Sequence, residues 1–269
     1  MRTFLIISLF YGVLFSFDLE EFKKYKGVIR IAGGTAHIPI MKEIKKEIES
    51  INPDIKISIE GGGSGVGIKK VGEGLVDIGN SGRGATKEEI KRYNLVLFKW
   101  AVDGIGIVVN RDNNISNLTL SQIRDIFSGK IKNWKEIGGK DRRIVVYTRN
   151  RSSGTRKVFQ KKILGKEDIT KDALYVDSNG AMKRAVSVDK RAIGYISAGF
   201  IDKNIKAVAI NGVLPTKENI KSKKYPYSRG LYSITKDRPK GLVKAFIDYL
   251  YTPHVQRDLI PKKGFIPVK

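Results

Sequence analysis

Apolar positions along this chain follow two rhythms that alternate from one end to the other. Residues 28–32 read as a strand, and Ile55, Ile57 and Ile59 alternate with polar neighbours, the period of a half-buried strand. Between them Ile40, Met41, Ile44, Ile48 and Ile51 recur at helical spacing, with Pro39 suited to a first helical turn. The Gly-rich turn 61–65 leads into a short helix carrying Ile68 and Val71, and residues 76–79 read as the next strand. Thr86 with Glu89, and Thr119 with Gln122, have the spacing of capping boxes, the second helix being closed by Gly129. Further strands are predicted at 144–148, 193–196 and 231–235, and helices at 154–164 and 242–251. Strands alternating with helices imply an α/β protein with largely parallel sheets. No internal repeat or long flexible linker divides the chain, so two lobes would be joined by strand crossings, near 104–111 and 225–231.

The first residues stand apart. Met1 and Arg2 precede an almost wholly apolar stretch, 3–17, which ends at Asp18-Leu19-Glu20-Glu21. This is the plan of a secretory signal and is short for a membrane span. The cleavage site is poor, because Leu14 stands where cleavage after Ser16 prefers a small residue. Export is the expectation; removal of the leader is left open, and a retained leader would tether the protein to a membrane.

Composition narrows the chemistry. The chain has no cysteine, which excludes disulfides, thiolate metal sites, thiol nucleophiles and a lipid-attachment cysteine. A hydrophobic fraction of 41% with 29% charged residues describes a soluble globular protein. The net charge of +24 attracts anions, or else reflects a Lys-rich solvated surface of the kind common in proteins from hot environments. The lysines are spread along helical stretches such as 42–46 and 217–224, which favours the solvated surface. A concentrated basic arm, or aromatics interleaved with arginines, would mark a nucleic-acid binder, and neither is present.

The informative feature is a device that recurs four times: a predicted strand ends in small and hydroxyl residues just before a predicted helix. The turns are Gly33-Gly34-Thr35-Ala36, Gly63-Ser64-Gly65, Asn80-Ser81-Gly82-Arg83 and Ser152-Ser153-Gly154-Thr155. Free N–H groups and the helix dipole make such a start an oxyanion site, and Ser or Thr hydroxyls add donors. One turn alone is usually an ordinary cap. Four at the carboxyl ends of parallel strands argue for convergence on one ligand. Arg149, four residues before Ser153, can reach an anion held by Ser153, Gly154 and Thr155; its alternative role is a salt bridge.

Other chemistries fit poorly. No Gly-Lys-Ser/Thr follows the glycines at 61–67, so there is no P-loop, and the dinucleotide pattern lacks its third glycine. His37 and His254 stand far apart and no metal-ligand spacing surrounds them, so no metal or cofactor is expected. No nucleophile elbow supports a serine hydrolase. Trp100 and Trp134 read as core anchors, either of which could report on lobe closure.

The chain resembles the phosphate-binding proteins of phosphate-specific ABC importers, in their compact form. The resemblance rests on Gly33-Gly34-Thr35 with Pro39, Gly62-Gly63-Ser64-Gly65 with Lys69, residues 76–83, Ile131-Lys132-Asn133-Trp134, Arg149 through Ser153-Gly154-Thr155-Arg156, and Ala192-Ile193-Gly194-Tyr195. Residues 214–216, Tyr225-Pro226-Tyr227-Ser228-Arg229-Gly230-Leu231-Tyr232 and 264–268 complete it. It implies a two-lobed type II periplasmic-binding-protein fold, its mostly parallel sheets joined by two hinge strand crossings. Lobe 1 would be 27–107 plus 229–269, and lobe 2 would be 108–228. The implied function is capture of inorganic phosphate by a monomer, without catalysis, for permease subunits in the membrane.

The same resemblance suggests contacts from Thr35, Ala36, Ser64, Ser81 and Gly82 of one lobe and from Arg149, Ser153, Gly154 and Thr155 of the other, with Arg83 as a further candidate. Where well-known relatives place an aspartate that accepts a phosphate proton, this chain has Gly82. That leaves sulfate, molybdate or tungstate open as ligands, and a non-transport anion-binding or adhesion module as a separate alternative. Asp103, at the expected hinge, and more weakly Glu60 are candidates for the missing acceptor.

Overall fold

The computed structural model describes residues 19–268; the leader expected at 1–17 lies outside them. The strands in chain order are β1 Gly27–Gly33, β2 Ile55–Gly62, β3 Ile78–Ser81, β4 Leu95–Asn110, β5 Asn117–Leu118 and β6 Val145–Arg149, then β7 Leu174–Val176, β8 Ala192–Ser197, β9 Ile205–Ile210, β10 Ser228–Lys236 and β11 Ile266–Pro267. They form one continuous sheet in the order β2-β1-β3-β10-β4-β8-β6-β7, with β9 and β11 also paired to β4 and β5 to β9.

Parallel pairing holds on both flanks: β1 runs parallel to β2 and β3, and β6 to β7 and β8. The middle is antiparallel, where β10 pairs with β3 and β4, and β4 with β8. The reason is topological. β4 carries the chain out of the first lobe and β10 carries it back, so the two run in opposite directions.

Each lobe has its own core. In the first, Ile40, Met41, Ile44 and Ile48 of the Ile38–Ile51 helix pack on Ile29, Ile31 and Ile57 of the sheet and on Phe246 and Ile247 from the chain's end. In the second, Ile123, Ile126 and Phe127 pack with Phe159, Ile163 and Tyr195. Sixteen-residue β4 belongs to both, giving Trp100 and Ala101 to the first and Ile105, Ile107 and Val109 to the second.

Local signals in the sequence act as their chemistry requires. Thr86 and Thr119 each form a complete capping box, and Gly129 ends its helix at φ 82°. The expected 154–164 helix divides into an α segment, Gly154–Phe159, and a π-helical turn, Gln160–Leu164. At the end of β1, Gly33 has φ +123°, and a Cβ there would stand 2.4 Å from the Asn80 carbonyl oxygen and 2.8 Å from Gly67 Cα. The absent side chain lets β1, β3 and the Ser64–Gly72 helix converge, which brings three of the four turns together. Among the described residues no helix is long and apolar enough to cross a membrane.

Candidate functional site

The strand ends of the two lobes meet around a small closed cavity of about 10 Å³. The first lobe contributes Gly34, Thr35, Ala36 and His37 after β1, Gly63 and Ser64 after β2, and Gly82 after β3. The second contributes Arg149 at the end of β6 and Ser153, Gly154 and Thr155 at the following helix start. Arg229, from crossing strand β10, completes the wall.

The hydroxyls are set up to donate. Thr35 Oγ1 accepts from the Asn179 backbone N–H (3.2 Å) and from Asn179 Nδ2 (3.1 Å), so its own proton is free for another partner. Ser64 Oγ accepts from the Gly82 N–H at 2.9 Å, and Ser153 Oγ from the Arg156 N–H at 3.2 Å. First-turn N–H groups of the helices that start here have no intrahelical acceptor. The cavity is thus walled by donors.

Its charge comes from two arginines. Arg149 is 1% exposed; Nε donates to the Val176 carbonyl at 3.1 Å and Nη2 to the Asp177 carbonyl at 2.7 Å. Its Nη1 is buried with no hydrogen-bond partner. Burial pulls the Arg149 pKa down to about 10, which still leaves it a cation at neutral pH. Arg229 donates through Nε (3.0 Å) and Nη2 (2.8 Å) to one oxygen of Asp103, whose other oxygen accepts from Ser197 Oγ at 2.9 Å. Burial pushes the Asp103 carboxyl up, against the pull of Arg229. His37 is fully buried, with Nδ1 3.0 Å from the Gly34 carbonyl oxygen. Burial first, and then the Arg229 charge, hold its pKa at about 3, so the ring is neutral.

The lobes are latched around the cavity. Besides Thr35 and Asn179, Ser152 Oγ donates to the Gly62 carbonyl at 2.6 Å, and the Gly65 N–H donates to the Ser152 carbonyl at 2.9 Å.

Of the residues expected from the sequence, Thr35, Ala36, Ser64, Gly82, Arg149, Ser153, Gly154 and Thr155 all reach the cavity wall. Four other candidates do not. The Ser81 hydroxyl turns away to donate to the Arg83 carbonyl at 2.6 Å. Arg83 points outward into a two-bond ion pair with Glu89, 2.8 Å for each bond. Glu60 is held on the surface by Lys70 at 2.6 Å. Asp103 stands behind Arg229, so its negative charge orients a cation rather than facing the cavity. His37, beside the first turn in sequence, lines the cavity as its position suggested, whereas Arg229 and Asn179 were not among the contacts expected, although Arg229 lies within a quoted motif. Among the described residues no group of three or more His, Cys, Asp or Glu could hold a metal.

A PBP superfamily domain is recognised over residues 23–254. The Phosphate-binding protein PstS of Bacillus subtilis is 36% identical over 248 residues, covering 91% of this chain and 82% of that protein. The Phosphate-binding protein PstS of Borreliella burgdorferi is 30% identical over 277 residues, covering 98% of each. A Clostridium perfringens structure with bound phosphate, assigned as a phosphate ABC transporter substrate-binding protein, superposes with a TM-score of 0.85 at 36% identity, over 90% of this chain and all of that one. An ABC-type phosphate transport receptor from Vibrio cholerae gives 0.71 at 35% identity, over 88% of this chain and 99% of that one. With its two α/β lobes and a donor-lined cavity between them, the chain belongs to the PBP superfamily and, within it, to the family of phosphate-binding proteins.

Proposed function

We propose that this protein captures inorganic phosphate between its lobes, outside the cytoplasmic membrane, and delivers it as a monomer to the permease of an ABC importer. The observation that carries the reading is the Arg149 guanidinium, buried with Nη1 unpartnered at the wall of a cavity lined by N–H and O–H donors and by the neutral His37 ring. A buried cation without a counter-charge is costly, and an oxyanion repays that cost with charge-assisted bonds. Thr35, Ala36, Ser64 and Gly82 would hold the anion from one lobe, and Arg149, Ser153, Gly154 and Thr155 from the other. Arg229 adds a second positive charge. A micromolar site requires about 8 kcal/mol in total. Helix starts worth roughly 0.3–2 kcal/mol each, together with hydroxyls and two buried arginines, supply that scale. In this reading the site binds and releases, without catalysis.

One observation keeps sulfate in view as a second ligand. Among the described residues lining the cavity there is no carboxylate to accept a phosphate proton and repel a fully ionised anion. The test is calorimetric titration of ligand-stripped protein with phosphate and with sulfate, in wild type and Arg149→Ala. The expected result is tight one-to-one phosphate binding that weakens at least 100-fold in Arg149→Ala. Unchanged affinity in a folded Arg149→Ala protein would overturn the site, and preference for sulfate would reassign the ligand.

A further inference from the structure

Beside the crossing strands lies a second concavity, a groove of about 950 Å³. Its apolar surface comes from Val102 of β4, Tyr232 of β10, Val158, Ile220 and Ile266. Six lysines edge it. Lys157, Lys161 and Lys162 come from the 154–164 segment, Lys221 and Lys223 from the end of the Lys217–Lys221 helix, and Lys99 from the first-lobe half of β4.

The groove is set off by its charge environment. No Asp or Glu is among its lining residues, and none of the six lysines has a carboxylate partner among the described residues. Lysines elsewhere are paired in many cases, as in Lys70–Glu60, Lys135–Asp141 and Lys183–Asp202. Burial first, and then the neighbouring Lys161 charge, lower the Lys162 pKa. Lys223 sits at φ 62°, a left-handed conformation that a lysine adopts at some cost.

We propose that this groove, with lysines from both lobes that lack carboxylate partners around an apolar floor, binds a linear polyphosphate group; Lys162 Nζ at present donates to the Pro226 carbonyl at 3.1 Å. Its volume falls in the range of small-ligand sites, roughly 300–1,000 Å³, rather than that of a flat protein-docking face. Successive phosphates of one chain neutralise several lysines at once, which a single carboxylate or orthophosphate cannot do. The chain can be free inorganic polyphosphate or the tail of a nucleotide, whose base would rest on the apolar floor. The groove is separate from the small cavity, with Arg229 lining both.

The test is calorimetric titration of tripolyphosphate, and separately of ATP, into wild type and into Arg149→Ala at physiological salt without divalent cations. Arg149 lies outside the groove, so binding is expected in both proteins at one site per chain, whatever becomes of the phosphate reading. The triple variant Lys157→Ala/Lys161→Ala/Lys162→Ala should weaken binding at least tenfold, and Lys99→Ala, from the other lobe, about threefold. A control triple of exposed lysines outside the groove, Lys42→Ala/Lys46→Ala/Lys171→Ala, should leave it unchanged. Tighter ATP than tripolyphosphate identifies a nucleotide, and the reverse order identifies the inorganic chain. Absence of one-site binding, or equal weakening by the two triples, would overturn the proposal in favour of diffuse surface charge.

Discussion

Ser64 and Gly154, on opposite lobes, approach so closely that a Cβ built on Gly154 would stand 2.1 Å from the Ser64 hydroxyl oxygen and 3.0 Å from its Cβ. The two helix starts that carry these residues therefore meet edge to edge only because position 154 has no side chain. Gly154→Ala should leave both lobe cores folded, with a melting temperature within a few degrees of wild type, while blocking full closure. Phosphate affinity is expected to fall at least tenfold. Calorimetry reads the affinity, and small-angle scattering should find the phosphate-saturated variant more extended than wild type.

Arg229 and Asp103 form a fully desolvated pair between the lobes, with side chains 4% and 0% exposed. Removing one member strands the other as an uncompensated buried charge, which costs about 3–5 kcal/mol. Arg229→Met should therefore lower the denaturation midpoint markedly. The double variant Arg229→Met/Asp103→Leu should regain most of the stability but not the phosphate affinity. Chemical denaturation beside calorimetry separates the two effects, and full recovery of binding in the double variant would remove Arg229 from the site.

His37 sets a pH dependence of stability. In the unfolded chain it takes up a proton near pH 6.5, whereas in the folded protein burial delays protonation to about pH 3. Between these values the unfolded state binds more protons, so stability falls as pH falls, by up to about 1.4 kcal/mol per pH unit from this residue. Carboxylates titrate in the lower part of the same window, so the readout is a difference. Phosphate-free melting curves from pH 7.5 to 4.5 should fall more steeply for wild type than for His37→Gln, with the divergence beginning near pH 6.5.

The two tryptophans are placed differently with respect to the cavity. Trp100 packs edge-on against His37 with ring centroids 5.6 Å apart, and its Nε1 donates to Ser233 Oγ at 3.1 Å. Trp134 lies in the second core and donates to the Arg191 carbonyl at 3.1 Å. A fluorescence change on phosphate addition should persist in Trp134→Phe and be lost in Trp100→Phe. The opposite pattern would mean that closure is felt deep in the second lobe.

The residues that line the candidate cavity were legible in the sequence wherever their chemistry is local. Gly33-Gly34-Thr35, Gly63-Ser64 and Ser153-Gly154-Thr155 are strand-to-helix turns, whose small and hydroxyl residues have to lie near the positions they serve. Arg149 was legible because it ends the strand that leads into one of those turns. What escaped was long-range. Arg229 reaches its place beside Gly82 across 147 positions, and Asn179 meets Thr35 across 144, so no local pattern announces either contact. Asp103 was noticed for its place at the crossing, but its role depends on Arg229 and reads correctly only once that partner is known. In the fold, β9 and the Asn179–Val188 helix went unpredicted. The helix buries only Met182 and Val186 among its larger apolar residues, and β9 dilutes its isoleucines with Ala and Lys, so neither carries a strong period.

The passage of β4 and β10 between the cores governs the order in which the molecule can be completed. The first core needs Leu231, Phe246, Leu250, Val255 and Phe265 from the chain's end to cover Ile29, Ile40 and Ile57 from its beginning. The second core is built almost entirely from the stretch between the crossings. During synthesis the N-terminal segments therefore emerge first yet remain without most of their packing partners, while the middle of the chain can collapse early. Contacts of such sequence separation form slowly. A chain that stops before β10 would carry a completed second lobe beside an unfinished first one.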